Sequence, residues 1–124
     1  MEIHESAENY LEMILMLKER KGQVRSIDIV NEMGYTKPSV SIAMKKLREN
    51  GYIKVDAEGY ITLESSGLEI ANRIYERHQV LTQFLMAIGV NETTALKDAC
   101  LIEHDISEES YKRLKEYVEQ KMTR

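Results

Sequence analysis

Residues 36–51, TKPSVSIAMKKLRENG, decide the fold of this chain. The apolar residues that follow the i, i+3, i+4, i+7 spacing of one helix face are Val40, Ala43, Met44 and Leu47. This spacing predicts a helix whose apolar face points into the core. Thr36 or Lys37 can cap its start, and Pro38 suits its first turn, where the missing N–H would have had no partner. Gly51 can end it, because glycine takes a positive φ cheaply.

The segments on either side of this helix predict a winged helix-turn-helix. Before it, residues 26–33 form a short predicted helix, capped by Ser26 and ended by Gly34, so that two helices flank a tight turn. After it, residues 52–55 and 60–63 are rich in β-formers and enclose a Gly-bearing tip, which predicts a hairpin, the wing. The alternative is a small α+β core with no role in DNA binding.

The outward face of the central helix is small, basic and rich in hydroxyl groups, which suits the major groove of DNA. The residues expected to contact DNA are Lys37, Pro38, Ser39, Ser41, Ile42, Lys45 and Lys46. The lysines are assigned to phosphates and the serines to bases or phosphates, while Ile42 either meets a thymine methyl or packs against the wing. Residues 36–54 hold five cations against Glu49, a net charge of +4 in a chain of net charge −4. This local charge can face phosphates while the rest of the surface repels them.

The remainder of the chain predicts a mainly α protein. One helix precedes the winged helix at residues 6–20, and a helix of about 20 residues follows it at 68–88. Two more are predicted at 92–106, capped by Asn91, and from Ser107 to about residue 121. The predicted domains are a winged helix-turn-helix DNA-binding domain, 1–63, and a helical metal-binding and dimerisation domain, 64–124. We expect a homodimer on a palindromic operator, because paired recognition helices must meet half-sites about one turn apart.

Composition bounds the class of protein. With 43% apolar residues and no low-complexity run, the chain is expected to be globular. It contains no apolar run near the roughly 20 residues of a membrane span, and its first nine residues do not resemble a signal peptide. The one cysteine, Cys100, excludes an internal disulfide, so we expect a cytoplasmic protein.

A second signal lies in Cys100-Leu101-Ile102-Glu103-His104. The first, fourth and fifth residues are related by i+3 and i+4, so they are expected to share a helix face, and their thiolate, carboxylate and imidazole are typical of a transition-metal site. One helix cannot complete a coordination shell. Further candidates are His78, Glu12 and Asn9. Each residue also has an ordinary interpretation, such as a hydrogen-bonded core histidine or a small buried cysteine.

Several motifs carry a family resemblance. They are Asn9-Tyr10-Leu11-Glu12, Lys37-Pro38-Ser39-Val40-Ser41, Arg77-His78, Gln83-Phe84-Leu85, Ile88-Gly89-Val90, and Asp98-Ala99-Cys100-x-x-Glu103-His104 followed by Ser107. With them the chain resembles, nearly end to end, the diphtheria-toxin-repressor and manganese-transport-regulator (DtxR/MntR) family. The resemblance implies a metal-activated repressor that holds Fe(II) or Mn(II) between its DNA-binding and dimerisation domains. The ligands it implies are Glu12, His78, Cys100, Glu103 and His104.

The resemblance is divided between two branches of the family. Cys100 matches the iron type and Glu12 the manganese type, whereas the position of Asn9 carries Met in one and Asp in the other, so Asn9 is the weakest candidate. In length the chain resembles the manganese type, which implies no SH3-like third domain. A thiolate favours Fe(II) over Mn(II), so Fe(II) is the first expectation and Mn(II) the second.

Three other functions compete with this interpretation. The first is a winged-helix regulator that senses an oxidant through Cys100, which would bind DNA without metal. The second is a metalloenzyme with Glu103 as general base, but no nucleophile or phosphate loop accompanies the ligands, so no enzyme and no small-molecule substrate are expected. The third is a protein-interaction module that uses the helix-turn-helix for docking.

Overall fold

The computed structural model describes residues 5–122 as six helices and one β-hairpin. The elements are α1 (Glu5–Lys21), α2 (Ser26–Met33), α3 (Lys37–Glu49), β1 (Ile53–Val55), β2 (Ile61–Leu63), α4 (Ser65–Ala87), α5 (Glu92–Ile102) and α6 (Glu108–Met122). The predicted mainly α fold with an N-terminal winged helix-turn-helix is confirmed. The chain forms two compact units, the first ending at Asn72 and the second beginning at Arg73. The outer ends of the two predicted domains, residues 1–4 and 123–124, lie outside the described residues.

The first unit is built on apolar side chains from α1, α2, α3 and the hairpin. The fully buried ones are Leu11, Ile14, Leu17, Val24, Ile29, Val40, Ile53 and Ile61. Each side chain of this size stabilises the fold by about 1.5–3 kcal/mol when it leaves water completely. In α3, the predicted inward stripe is buried at Val40, Met44 and Leu47, whereas Ala43 keeps partial exposure.

In the first unit, the observed helix cap agrees with the predicted one at α3 and differs from it at α2. The Thr36 hydroxyl accepts the Ser39 backbone N–H at 3.2 Å, which confirms the cap of α3. The prediction that Ser26 caps α2 is wrong, since Arg25 is the N-cap. The Asp28 carboxylate accepts the Arg25 backbone N–H at 2.8 Å, which is the bond that the third residue of a helix makes in a capping box. As predicted, Gly34 ends α2 in the left-handed conformation.

The wing is an antiparallel hairpin that is fixed at its tip and at its base. Ile53 pairs with Leu63 and Val55 with Ile61. At the tip, one Asp56 carboxylate oxygen accepts the backbone N–H groups of Glu58 at 3.0 Å and of Tyr60 at 2.9 Å.

The start of α4 is attached to the base of the wing. The Glu64 N–H donates to the Tyr52 carbonyl at 2.9 Å, and the Ser66 hydroxyl donates to the Gly51 carbonyl at 3.0 Å. Gly67 lies so close to Tyr52 that an added methyl group would collide with the Tyr52 carbonyl oxygen. These contacts place the first turns of α4 in the first compact unit, which ends at Asn72.

The second unit contains the rest of α4 with α5 and α6. Its buried apolar side chains are Ile74, Leu81, Ala95, Ala99, Tyr111 and Val118. The Asn91 side chain accepts the Thr94 N–H at 3.0 Å, which confirms the predicted cap of α5. The prediction that α5 continues to Ile106 is wrong, because the helix ends at Ile102 and a turn follows. Within residues 5–122, no helix is both long and apolar enough to cross a membrane.

Candidate metal centre and nucleic-acid interface

The candidate site in the second unit is built around Glu103, the residue that caps the end of α5. Its backbone keeps right-handed helical angles, and its N–H donates to the Ala99 carbonyl at 3.0 Å, so it prolongs the geometry of α5 by one residue. The Glu103 side chain is completely buried. A completely buried carboxyl group is unusual, because the charged form is expensive to remove from water unless a partner compensates it.

Two imidazoles lie against this carboxyl group. Nδ1 of His78, in α4, is 3.0 Å from Glu103 Oε2. Nε2 of His104 is 3.4 Å from Glu103 Oε1, and only 2% of the His104 side chain is exposed. The second contact lies within ion-pair distance but lacks hydrogen-bond geometry, and Oε1 has no hydrogen-bond partner among the described residues.

The donor set fits a divalent transition metal. A carboxylate and imidazoles are good ligands for Fe(II) and Mn(II), and a buried carboxylate oxygen without a hydrogen bond is an acceptor that a cation can satisfy. In the second unit, His78 and Glu103 each offer a ligand atom for such an ion, and His104 lies beside the other oxygen of the Glu103 carboxyl group. Glu103 and His104 come from the predicted motif, and His78, also a predicted ligand, comes from α4.

The other predicted ligands have different surroundings. Cys100 lies three residues before Glu103 in α5, but it is exposed. Glu103 and His104 follow the last residue of α5, and only Glu103 is shown to keep helical backbone angles there. In the first unit, Glu12 is buried on α1, with 6% of its surface exposed, and Asn9 on the same helix is partly exposed. The ligand roles of these residues stay predictions.

A buried arginine holds the turn that carries the cluster. Arg77 Nη1 donates to the backbone carbonyls of Glu103 at 3.1 Å and Ile106 at 3.0 Å. Its Nη2 donates to Glu108 Oε2 at 2.8 Å, and its guanidinium lies over the Tyr111 ring, 5.1 Å from the centroid. Arg77 carries no predicted role. Its spacing was a usable signal, because it lies three residues after Ile74 and four before Leu81, in the apolar stripe of α4.

A second polar group ties α6 to α4. The Tyr111 hydroxyl donates to Glu76 Oε1 at 2.8 Å, and Lys115 forms an ion pair with the same oxygen. The hydrogen bonds from Lys115 and then from Tyr111 hold the pKa of Glu76 below its ordinary value. Burial, followed by the bond to Glu76, raises the pKa of Tyr111, so this phenol stays protonated as a donor.

The candidate nucleic-acid interface is the outward face of α3. The seven residues predicted there, Lys37, Pro38, Ser39, Ser41, Ile42, Lys45 and Lys46, are all exposed. The Thr36 hydroxyl donates to Ser39 Oγ at 2.9 Å, which leaves the Ser39 proton available for a phosphate or base. Ile42 is 58% exposed, a large value for an apolar side chain.

A winged helix-turn-helix joined to a helical unit with a buried carboxylate–imidazole cluster defines a class, the ligand-responsive DNA-binding regulators. Residues 2–61 match the family model "Iron dependent repressor, N-terminal DNA binding domain". Residues 64–123 match "Iron dependent repressor, metal binding and dimerisation domain". The chain belongs to this family, the DtxR/MntR family of metal-dependent repressors. Its members are transcriptional regulators, in agreement with the prediction that the chain is not an enzyme.

Relatives and solved structures agree with this assignment. The HTH-type transcriptional regulator MntR of Bacillus subtilis is 36% identical over 114 residues, which cover 92% of this chain and 80% of that protein. An uncharacterised HTH-type transcriptional regulator of Methanocaldococcus jannaschii is 33% identical over 117 residues, 93% of this chain and 94% of that protein.

Among solved structures, the manganese regulator SloR has a TM-score of 0.80 and 26% identity, covering 90% of this chain and 53% of that chain. The IdeR of T. acidophilum has a TM-score of 0.79 and 26% identity, covering 97% of this chain and 55% of that chain. The chain thus spans about half the length of these two structures.

Proposed function

We propose that this protein is a metal-activated transcriptional repressor that uses Fe(II) or Mn(II) to control binding to operator DNA. The observation that carries the proposal is the completely buried Glu103 carboxyl group, with one oxygen near His78 and the other near His104. A relative is named for manganese regulation and the matching family models are named for iron dependence, so both metals are candidates.

The chain's own residues prepare the centre. A bound divalent ion would compensate the negative charge of the buried Glu103 carboxylate. His78 orients one carboxylate oxygen through its Nδ1, and burial of Glu103 and His104 excludes water that would compete for the same donors. Cys100, Glu12 and, more weakly, Asn9 are proposed as further ligands on the basis of the sequence resemblance.

The response to metal must appear as a difference in affinity between two states of the protein. To move the DNA-competent state from 1% to 99%, this state must bind the ion about 10⁴-fold more tightly than the other. By linkage, operator DNA must then strengthen metal binding by the same factor. This reciprocity is a measurable requirement of the proposal.

On the DNA side, α3 is proposed as the recognition helix of a homodimer on a palindromic operator. Lys37, Lys45 and Lys46 bind phosphates, while Ser39 and Ser41 meet bases or phosphates, with Pro38 at the start of the helix. Ile42 contacts a base, with a thymine methyl as its natural partner. Because its target is chromosomal DNA, the protein is proposed to act in the cytoplasm.

The deciding experiment is a mobility-shift titration on operator DNA. The operator is first selected from a random duplex pool with Mn(II)-loaded protein, and a palindromic consensus is expected. The selected DNA is then titrated with protein in Fe(II) under anaerobic conditions, in Mn(II), in Zn(II) and in EDTA. Binding is expected to need metal and to be lost in His104→Ala, with Glu109→Gln, an exposed residue of α6, as the control. DNA binding that is indifferent to both EDTA and His104→Ala would refute the proposal.

The exposure of Cys100 favours one alternative, a regulator that senses oxidants through this thiol. In that case, peroxide would change DNA binding in EDTA, and Cys100→Ser would abolish the change. The metal proposal expects no peroxide response in EDTA, so the same mobility-shift assay separates the two functions.

A further inference from the structure

Three consecutive residues of α4 hold the segment between α5 and α6. Glu76 binds Tyr111 and Lys115 of α6, Arg77 binds the turn after α5, and His78 binds the Glu103 side chain. Successive residues of a helix point about 100° apart, so these contacts spread over more than half of the circumference of α4. The middle residue reaches the main chain of the turn rather than a side chain of the cluster.

The Arg77 guanidinium satisfies two carbonyls that the early end of α5 leaves without helical partners. Glu103 and Ile106 lie beyond Ile102, the last residue of α5, so no following turn of that helix can donate to their oxygens. Arg77 Nη1 donates to both, at 3.1 and 3.0 Å. An unsatisfied buried carbonyl costs about 1–3 kcal/mol, so these bonds select one conformation of the turn.

The guanidinium is directed away from the obvious charge partner. A buried arginine beside a buried glutamate usually forms a two-pronged ion pair with the carboxylate. Here Arg77 binds the backbone carbonyl of Glu103, and its charge is paired with the Glu108 carboxylate at 2.8 Å. Glu103 Oε1 has no hydrogen bond within residues 5–122. The arrangement fixes the Glu103 backbone and keeps its carboxylate free of arginine.

The Tyr111 ring restricts the position of the Arg77 side chain. The guanidinium carbon is 5.1 Å from the ring centroid, and the hydroxyl of the same ring is held by Glu76. A cation over a tyrosine face adds attraction on the order of 1 kcal/mol. Arg77 is thus contacted on different sides by the Tyr111 ring, the two carbonyls and Glu108. The Arg77 side chain is 7% exposed.

We propose that Arg77 is a positioning residue for the metal centre, which sets the Glu103 carboxylate in place by fixing the backbone of the turn after α5. This inference rests on the proposed metal-binding function of His78, Glu103 and His104. Arg77 touches no ion itself. It acts through the main chain, and its effect is therefore on metal affinity and on the order of the turn in the metal-free protein.

The test compares Arg77→Met and Arg77→Lys with the control Arg113→Met in the metal-free protein and during titration with Mn(II). Arg113 belongs to the same unit, but its side chain is 75% exposed. Outer-shell partners of metal ligands typically change metal affinity by about 10–100-fold, so Arg77→Met is expected to weaken Mn(II) binding within that range. Arg77→Lys keeps the charge but lacks the planar fork, so it is expected to lie between the wild type and Arg77→Met. The control Arg113→Met is expected to bind Mn(II) with the affinity of the wild type.

Two further readings separate positioning from a general loss of stability. Co(II) absorption spectra report the ligand geometry, and they are expected to change in Arg77→Met but not in Arg113→Met. Amide hydrogen exchange in EDTA is expected to accelerate at Asp105 and Ile106, while amides in the middle of α6 keep the wild-type rate.

The outcomes are distinguishable from a failure of the proposed function. If the wild type binds no divalent metal, the proposed function fails. If the wild type binds Mn(II) and folded Arg77→Met binds it within twofold of the wild type, Arg77 is not a positioning residue. Should Arg77→Met not fold, Arg77→Lys decides, because wild-type affinity and a wild-type Co(II) spectrum in that variant would overturn the inference.

Discussion

The outward face of α3 and the turn after α5 handle charge in opposite ways. On α3, the cations Lys37, Lys45 and Lys46 are in contact with water, and they keep that hydration until a partner arrives. At the turn, Glu103 has no exposed surface, and Arg77, which binds the turn from α4, has almost none. Each group there depends on a particular neighbour at a particular distance. A surface for polyanions thus lies in one unit, and a centre for a single small cation in the other.

Because of this difference, the two regions are expected to respond differently to mutation. Exposed charges act nearly independently, are screened by salt, and contribute about 0–1 kcal/mol each. Buried charged groups are coupled, so the loss of one partner leaves another uncompensated and costs several times more.

The largest effect is expected from Glu103→Gln. The substitution removes the buried carboxylate, so Mn(II) affinity should fall by more than the 10–100-fold typical of outer-shell changes. The free energy of unfolding in EDTA should rise by about 1 kcal/mol, because a neutral amide costs less to bury than a charged carboxylate. Calorimetric titration and thermal unfolding in EDTA measure the two changes. A variant that loses stability but keeps full Mn(II) affinity would contradict the expected difference between buried and exposed charged groups. The exposed Glu109→Gln serves as the control.

The next effect is expected from the double variant Lys45→Ala/Lys46→Ala. Two phosphate contacts are lost, so the slope of log K against log salt should fall by roughly 2, and affinity should drop about tenfold for every DNA sequence. Fluorescence anisotropy at several salt concentrations measures both quantities. The matched control is Lys97→Ala/Lys112→Ala, which removes two exposed lysines of the second unit. An unchanged slope in the first pair would remove these lysines from the interface.

A smaller effect is expected from Asp28→Asn at the start of α2. The backbone N–H of Arg25, with help from Lys21, holds the pKa of Asp28 below its usual value of 3.8. A depressed folded-state pKa means that the carboxylate stabilises the fold above pH 3.8 and that this stability is lost as the pH falls through the lowered value. The variant should therefore lose about 1 kcal/mol at pH 7. Urea unfolding at pH 7 and pH 2 checks the sign, since the gap should close in acid.

The smallest effect on stability is expected from Ile42→Ala. The side chain is more than half exposed, so the free energy of unfolding should change by less than about 0.5 kcal/mol. Discrimination among operators should nevertheless relax at one base pair if a thymine methyl is its partner. Selection from a random duplex pool with wild type and variant reveals the change. Identical consensus sequences would exclude Ile42 as a reader of sequence.

Much of the first unit could be predicted because local signals agree with one another there. In α3, the apolar spacing, the Thr36 cap and Pro38 in the first turn all indicate one helix, and the structure has it at Lys37–Glu49. The cap of α2 was missed because serine is a common N-cap. The bond found in the structure comes from Asp28, two residues later, whose carboxylate accepts the Arg25 N–H.

The turn after α5 could not be predicted from local signals. No glycine or proline marks the end of α5 near Ile102, and the apolar residues continue to Ile106 with helical spacing. The contact found there is a tertiary one, since Arg77 binds carbonyls that a longer helix would use itself. Sequence spacing found Glu103 and His104, but it could not show that an arginine 26 residues earlier determines the path of their backbone.

The close approach between Gly67 and Tyr52 reverses a common rule of protein engineering. Replacing a glycine inside a helix by alanine usually stabilises a protein, because the unfolded chain loses freedom that the folded chain never had. At Gly67 the added methyl would displace the carbonyl of Tyr52, which also accepts the Glu64 N–H. A thermostabilised version of this protein should therefore leave residue 67 unaltered and look for gains elsewhere in α4.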